Sequence, residues 1–156
     1  ILNNSDIDLL DTRKTLPGLR YEQKYATRVA GVKNHRFSLS DGLMLKDNHL
    51  KALNGIKAIT YRHKNSKNFF FEIEVEKLSE IEPALLLNPN ILMFDNFSLK
   101  QIEKGIKIVN KRAKIEISGL KSEKELKKLS HLKIDFISMG DLTKNIKAID
   151  FSLNVI

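Results

Sequence analysis

The sequence predicts an α/β architecture: a (β/α) barrel of seven parallel strands, an open or incomplete variant of the eight-stranded form. Three observations carry this. Short apolar runs of strand length alternate with helix-length amphipathic segments along the whole chain, the pattern of a parallel sheet with crossover helices. Three of the helical segments open with the same device, Ser-x-x-Glu or Ser-x-x-Gln, at Ser79, Ser98 and Ser122, which is the capping-box signature. Several strands also place charge on one face: Glu72, Glu74 and Glu76 in one, Glu116 and Ser118 in another, Lys46 beside Met44 in a third. An open doubly wound sheet needs apolar residues on both faces, whereas a barrel with a polar mouth accommodates these charges if they pair with one another or with a ligand.

The elements follow in order. Ile7 to Leu10 reads as a strand running into Asp11-Thr12-Arg13-Lys14-Thr15. Thr15 is placed to cap a helix with Pro17 in its first turn, where a missing N–H is harmless. Tyr21, Tyr25 and Val29 fall on one helical face, and Gly31 supplies a left-handed end. Leu43 to Lys46 is the second strand, followed by Asp47-Asn48-His49 and a weaker helix from about Leu50 to Arg62. After a polar turn over His63 to Asn68, Phe69 to Glu76 alternates as a strand. The Ser79 box opens a helix to about Leu87, with Pro83 as an awkward early resident. Strands at Ile91 to Asp95 and Lys114 to Ser118 flank the helix of Leu99, Ile102, Ile106 and Val109. A helix from Ser122 buries Leu126 and Leu129. Asp135 to Met139 and Ala148 to Leu153 complete the seven strands.

Composition narrows the chemistry. With 156 residues and 42% apolar content the chain suits one domain with one core. It has no Cys, which removes disulfides, thiolate metal sites and a Cys nucleophile. No apolar run approaches the roughly 20 residues of a membrane span, and the first residues lack the basic and apolar regions of a secretory signal. A cytoplasmic location is expected. The chain lacks an initiating Met and enters an apolar run almost at once, so it reads as a piece of a longer protein. Net charge is +8, which raises nucleic acid as a partner. Lys100, Lys104, Lys107, Lys111, Lys121, Lys124, Lys127 and Lys128 instead read as the solvated faces of helices. The few aromatic residues are not interleaved with basic ones as stacking platforms would be. No P-loop, Gly-x-Gly-x-x-Gly or zinc-ligand spacing is present.

Active sites of (β/α) barrels lie at the C-terminal ends of the strands. There the sequence puts Asp11, Arg13, Lys14, Lys46, Asp47, Asn48, His49, Glu74, Glu76, Asp95, Asn96, Ser118, Gly119, Gly140 and Thr143, with His35 and Arg36 on the loop before the second strand. Arg matches a carboxylate or phosphate bidentately, and Lys is a mobile point charge. Gly and Ser at a helix start expose N–H groups to an anion. Carboxylates among such cations hold Mg²⁺ or steady positive charge on a sugar carbon. This set suits a phosphorylated sugar and an acidic second substrate. The bland readings are a surface pair for Arg13-Lys14, an ordinary loop histidine for His35, and structural partners of interior cations for Glu72 and Glu76. His63 and His131 read as surface residues.

The runs DTRKT-x-PG-x-R from Asp11, Asn34-His35-Arg36 and Lys46-Asp47-Asn48-His49, with EIEVE, ILMFDN, KIEISG, DFISMG and KAIDFSL after them, resemble the quinolinate phosphoribosyltransferases over nearly the whole chain. The resemblance implies a seven-stranded α/β barrel and transfer of phosphoribosyl from PRPP to quinolinate with loss of CO₂, in de novo NAD biosynthesis. It implies Mg²⁺ as cofactor. Carried over by motif, Arg13, Lys14, His35, Arg36 and Lys46 would bind quinolinate and part of PRPP. Lys46, Glu74 and Asp95 would be catalytic, with Glu74 and Asp95 as candidate Mg²⁺ ligands. Ser118, Gly119, Gly140 and Lys144 would take phosphate. The family also implies an N-terminal α/β domain that residues 1–156 lack, and a homodimer in which that domain completes the partner's site. The sequence departs from the family pattern at Val32, Leu120, Asp141 and Lys144. Two other readings stand beside the enzyme: a barrel fragment binding anions or nucleic acid without catalysis, and a molybdenum-associated relative, which is expected to lack the intact Lys46–His49 run.

Overall fold

In the computed structural model, residues 6–56, 59, 70–120, 122–147 and 149–155 are described. Six parallel strands form one sheet: β1 (Asp8–Leu10), β2 (Leu43–Leu45), β3 (Phe71–Val75), β4 (Ile91–Asp95), β5 (Lys114–Ser118) and β6 (Phe136–Ser138). Their spatial order is β1-β6-β5-β4-β3-β2. The crossovers are α1 (Arg20–Val29), α2 (Asp47–Ala52), α3 (Ile81–Leu85), α4 (Leu99–Val109), α5 (Glu123–Leu129) and a short α6 (Asp141–Lys144). Among the described residues no helix is long and apolar enough to cross a membrane.

Outward-facing Ile73, Val75, Leu92, Phe94, Ile115, Ile117 and Ile137 are buried beneath the helices with Ile81, Ile102, Val109, Leu126 and Leu129. Successive strand residues point to opposite faces, so the inner face takes Met44, Glu72, Glu74, Met93, Asp95, Glu116, Ser118 and Ser138. Register aligns them in layers: Glu74 beside Met93, Met93 beside Glu116, and Asp95 beside Ser118. The sheet curls enough for residues of all six strands or the loops after them to share one cavity.

The expected seven-stranded closure is not what forms. β1 and β2 are the two edges and do not pair. The segment between them spans the gap by single contacts: Lys33 makes an isolated parallel bridge to Leu10, and Arg36 Nη1 donates to the Gly42 carbonyl at 2.8 Å. The run proposed as a seventh strand has no regular structure over 149–155, and Phe151 and Leu153 are exposed. Alternation shows that a segment can be a strand; pairing needs a partner, and residues 149–155 pair with neither open edge.

Three helix starts also differ from expectation. Gly18, at φ +79°, turns the chain after Pro17, so α1 begins at Arg20 and Thr15 instead accepts a bond from Arg20 Nε at 3.2 Å. α3 begins at Ile81, not after Ser79. A start capped by Ser79 would need an N–H from Pro83, which has none, and the later start puts Pro83 in the first turn, where no N–H is used. Glu80 Oε2 covers the preceding amides of Glu76 and Lys77. α2 starts at Asp47 and ends at Ala52, short of the expected Leu50 to Arg62; residues 57–58 and 60–69, including His63, lie outside the described residues. The Ser98–Gln101 box and the Ser122 cap form as expected. α1 ends as expected, with Gly31 at φ +86° and Val32 N–H bonded to the Thr27 carbonyl.

Candidate active site

The cavity at the C-terminal ends of the strands has a volume of about 280 Å³ and is lined by Thr12, Arg13, Lys14, His35, Arg36, Met44, Lys46, Glu74, Met93, Asp95, Glu116, Ser118 and Ser138. Eight of the eleven residues proposed for the site are on its wall. Gly119, Gly140 and Lys144 are not. Gly119 lines a neighbouring groove between α4 and α5. Gly140 packs against Lys14, whose Cδ would sit 3.2 Å from a β-carbon added there. Lys144 is exposed on α6. Ser118 and Gly119 meet the loop after β4. Gly119 is at φ +87°, and an added Cβ would lie 2.3 Å from Asn96 Oδ1. A residue other than Gly would therefore crowd Asn96, the residue after Asp95, and strain the backbone at this positive φ.

A buried polar hub sets the two cationic segments. Asp11, at the end of β1, is fully buried. Its carboxylate is paired with Lys24 of α1, itself 2% exposed. It also accepts from Thr27 Oγ1 at 2.9 Å, Asn34 Nδ2 at 2.6 Å and the His35 amide at 2.8 Å. Lys24 also donates to the His35 carbonyl at 3.0 Å. A buried charge persists only when paired and hydrogen-bonded, and here the pairing joins β1, α1 and the 34–35 segment. Gln23 of α1 adds a bond to the Thr143 carbonyl at 3.0 Å, and Thr143 Oγ1 holds the Lys14 carbonyl at 2.6 Å. Arg13 and Lys14 are thereby fixed on one side of Asp11, and His35 and Arg36 on the other. Sequence reading placed Asp11 near the site without a role and missed Lys24 and Thr27. Their spacing of i and i+3 on one helical face was the available signal.

Lys46 pairs with Glu74. Arg36 donates to the Gly42 carbonyl and to Met44 Sδ, and burial lowers its pKa from the ordinary value, with the Glu72 charge working against that. Arg13 Nε and Arg36 Nε are buried without a partner among the described residues. Unpaired buried donors on two guanidinium groups in one cavity are what a bound anion would satisfy.

Below them, His35 Nε2 lies 3.3 Å from Glu72 and 3.4 Å from Glu116. Burial lowers the basicity of the imidazole, and the two carboxylates more than offset this, raising its pKa to about 9. Nδ1 accepts the Arg36 amide at 2.7 Å, which favours the neutral ring with its hydrogen on Nε2. In either state Nε2 carries hydrogen. The three side chains would offer donor atoms within 4.8 Å of one another, but a protonated Nε2 is not a metal ligand. Glu72 thus has the expected role as partner of an interior cation. Glu76 does not: it is exposed beyond the end of β3. His131 is exposed, as expected. Glu74 and Asp95 are better disposed for a hard cation. Both are carboxylates on the wall of the cavity, and Asp95 is only partly buried, its Oδ2 accepting from Asn96 Nδ2 at 2.7 Å, so oxygen donors of the kind Mg²⁺ takes are available.

Comparison with known proteins places the chain in a family. The model of the C-terminal domain of quinolinate phosphoribosyl transferase matches residues 1–154. A probable nicotinate-nucleotide pyrophosphorylase (carboxylating) of Methanocaldococcus jannaschii is 38% identical over 98% of this chain and 57% of its own length. Its Bacillus subtilis counterpart is 34% identical over 99% of this chain and 54% of its own. The crystal structure of NadC from Streptococcus pyogenes superposes with a TM-score of 0.88 at 43% identity, covering 99% of this chain and 55% of that one. The chain thus spans about half the length of the relatives it matches. With the sequence motifs, the fold and the cationic cavity in agreement, the chain belongs to the quinolinate phosphoribosyltransferase family, to which it contributes the C-terminal domain.

Proposed function

We propose that this domain carries the main part of the active site of an enzyme that transfers phosphoribosyl from PRPP to quinolinate, giving nicotinate mononucleotide, pyrophosphate and CO₂. The observation that supports it most is one cavity in which Arg13, Lys14, His35, Arg36 and Lys46 stand with Glu74 and Asp95. A dicarboxylate and a polyphosphate both need such a density of cations. A sugar carbon that becomes positive needs nearby carboxylates.

Arg13 and Arg36 are assigned to the quinolinate carboxylates, which would occupy their unpaired Nε groups. Lys46, held by Glu74, is placed to contact the substrate carboxylates or ribose-linked phosphate. As the bond from ribose C1 to pyrophosphate breaks, its electron pair leaves with pyrophosphate, and Glu74 and Asp95 stabilise the charge at C1. The pyridine nitrogen then forms the new bond to C1. The alkylated ring accepts the electron pair released when the 2-carboxylate departs as CO₂, and a proton restores C2. No protein nucleophile is needed; the residues position and neutralise. Mg²⁺, held at Glu74 and Asp95, would supply charge neutralisation for the departing pyrophosphate. Ser118 and the neighbouring Gly119, with Gly140 and Lys144, are assigned to the 5-phosphate.

The outer face of α1 exposes Tyr21, Tyr25 and Val29, with Phe37 and Leu39 nearby. A protein about twice this length, dimeric as its resemblance implies, would cover that face. Isothermal titration of quinolinate, and of PRPP with Mg²⁺, tests the assignment. An Arg36→Ala variant should lose quinolinate affinity by roughly ten- to a hundredfold, the value of one charge-assisted contact. Unchanged affinity would remove Arg36 from the substrate pocket.

A further inference from the structure

We infer that Glu72 and Glu116 are positioning residues for the acidic substrate: a buried floor that locks the His35 ring and, through it, Arg36. This rests on the proposed reaction. Both side chains are fully buried, and the donor that faces both carboxylates among the described residues is His35 Nε2, at 3.3 and 3.4 Å. Two buried carboxylates that share one imidazole N–H, on β3 and β5, are costly. A core requirement alone would be met by apolar residues of similar volume, as at Met93, which stands beside Glu116 on the same inner face. The placement therefore calls for a reason in the cavity above.

The reason is the way the ring is held. Glu72 and Glu116 face Nε2, the Arg36 amide bonds Nδ1, the Asp11 carboxylate bonds the His35 amide, and Phe70 packs edge-on at 6.4 Å between ring centres. The ring cannot turn without releasing the Arg36 main chain. Each terminal nitrogen of the Arg36 guanidinium makes one bond that fixes its plane, and Nε makes none among the described residues. The acidic floor also lies beneath a group of cations that would otherwise repel one another in the empty site. It acts on the His35–Arg36 side of the cavity. Asp95 and Ser118 lie on the side assigned to PRPP, and among the described residues His35 makes no hydrogen bond to either.

Glu72→Gln and Glu116→Gln keep shape and an acceptor oxygen while removing charge. In the intact protein each should raise the KM for quinolinate by roughly tenfold and leave the KM for PRPP unchanged. Equal loss for both substrates, or an unchanged quinolinate KM, overturns the inference, because a merely structural role would not divide the two. Nitrogen-15 NMR of the histidines gives an activity-independent readout. The unaltered protein should show His35 with hydrogen on Nε2, and the Gln variants should shift that signal. If the variants do not fold, the unaltered protein still decides: an Nε2 without hydrogen overturns the clamp. Absence of quinolinate turnover in the unaltered protein would instead sink the reaction, while the NMR result would still report on the clamp.

Discussion

Helices α1 and α4 are both amphipathic, and they are mounted the opposite way round. α4 buries Ile102, Gly105 and Val109 and presents Lys100, Lys104 and Lys107 to solvent. α1 buries Gln23, Lys24 and Thr27 and exposes Tyr21, Tyr25 and Val29 at 69%, 53% and 70%. The difference is in what each helix covers. α4 lies over the outer, apolar face of the sheet, where packing decides the contact. α1 faces the end of β1 and the open edge of the sheet, where Asp11 has to be satisfied. Its inner face is therefore the frame of the cavity, and its apolar face is left for another surface. A hydrophobic period identifies the two sides of a helix without saying which is inside.

Removing the central contact of each helix would sharpen the contrast. Lys24→Met leaves the Asp11 carboxylate buried without its counter-charge, and should cost about 3–5 kcal/mol in urea unfolding and reduce ligand binding as well. Ile102→Ala on α4 should cost about 2–5 kcal/mol and leave binding intact in the folded fraction. If both variants lose binding in proportion to stability alone, α1 has no special connection to the site.

The site served by α1 should also carry a pH signature that α4 lacks. His35 has a folded pKa of about 9, above its ordinary 6.5. Its contribution is therefore complete below about pH 6.5 and is lost as pH rises towards 9. The buried ring makes this on the order of 3 kcal/mol at most. The raised pKa of Glu72 works in the same direction. Stability measured across that window should fall with rising pH, and His35→Gln should flatten the slope. A flat profile in the unaltered protein would mean that the Arg36 amide keeps the ring neutral throughout.

Smaller effects test the packing rule. Gly105→Ala on α4 improves helix propensity by up to about 1 kcal/mol. However, its new Cβ would lie 2.6 Å from Phe94 Cε2 and 2.8 Å from Cζ, and Phe94 is stacked on Phe97 at 4.8 Å. Overpacking of this kind costs about 1–3 kcal/mol, so the melting temperature should fall. Val29→Ser on the exposed face of α1 should change domain stability by less than about 0.5 kcal/mol. It should weaken association if that face is covered in a longer or dimeric protein, a result that sedimentation would show.

Local chemistry was legible wherever a residue's role depends on its immediate neighbours. Alternation identified the inner faces of β3 and β5. Ser98 and Ser122 announced helix starts, and Gly31 a helix end. The cationic runs at Arg13-Lys14 and Lys46 reached one cavity because each follows a strand at the same end of the sheet, and His35-Arg36 joined them because Lys33 runs parallel to Leu10 and Asp11 holds the His35 amide. The missed start of α3 was also local: Pro83 lacks the N–H that an earlier start would require.

The sequence alone determined the α/β class, the parallel strands from β1 to β6, the family, and most of the groups on the cavity wall. These follow from periodicity, capping chemistry and residue type, which operate over a few positions. Only the tertiary structure decided that the segment 149–155 forms no strand, that β1 and β2 do not pair with each other, that α1 turns its polar face inward, and that His35 sits against Glu72 and Glu116. Each of those depends on residues apart in the chain, such as Asp11 with Lys24 or His35 with Glu116, whose meeting is fixed by sheet curvature and burial, which local sequence does not encode.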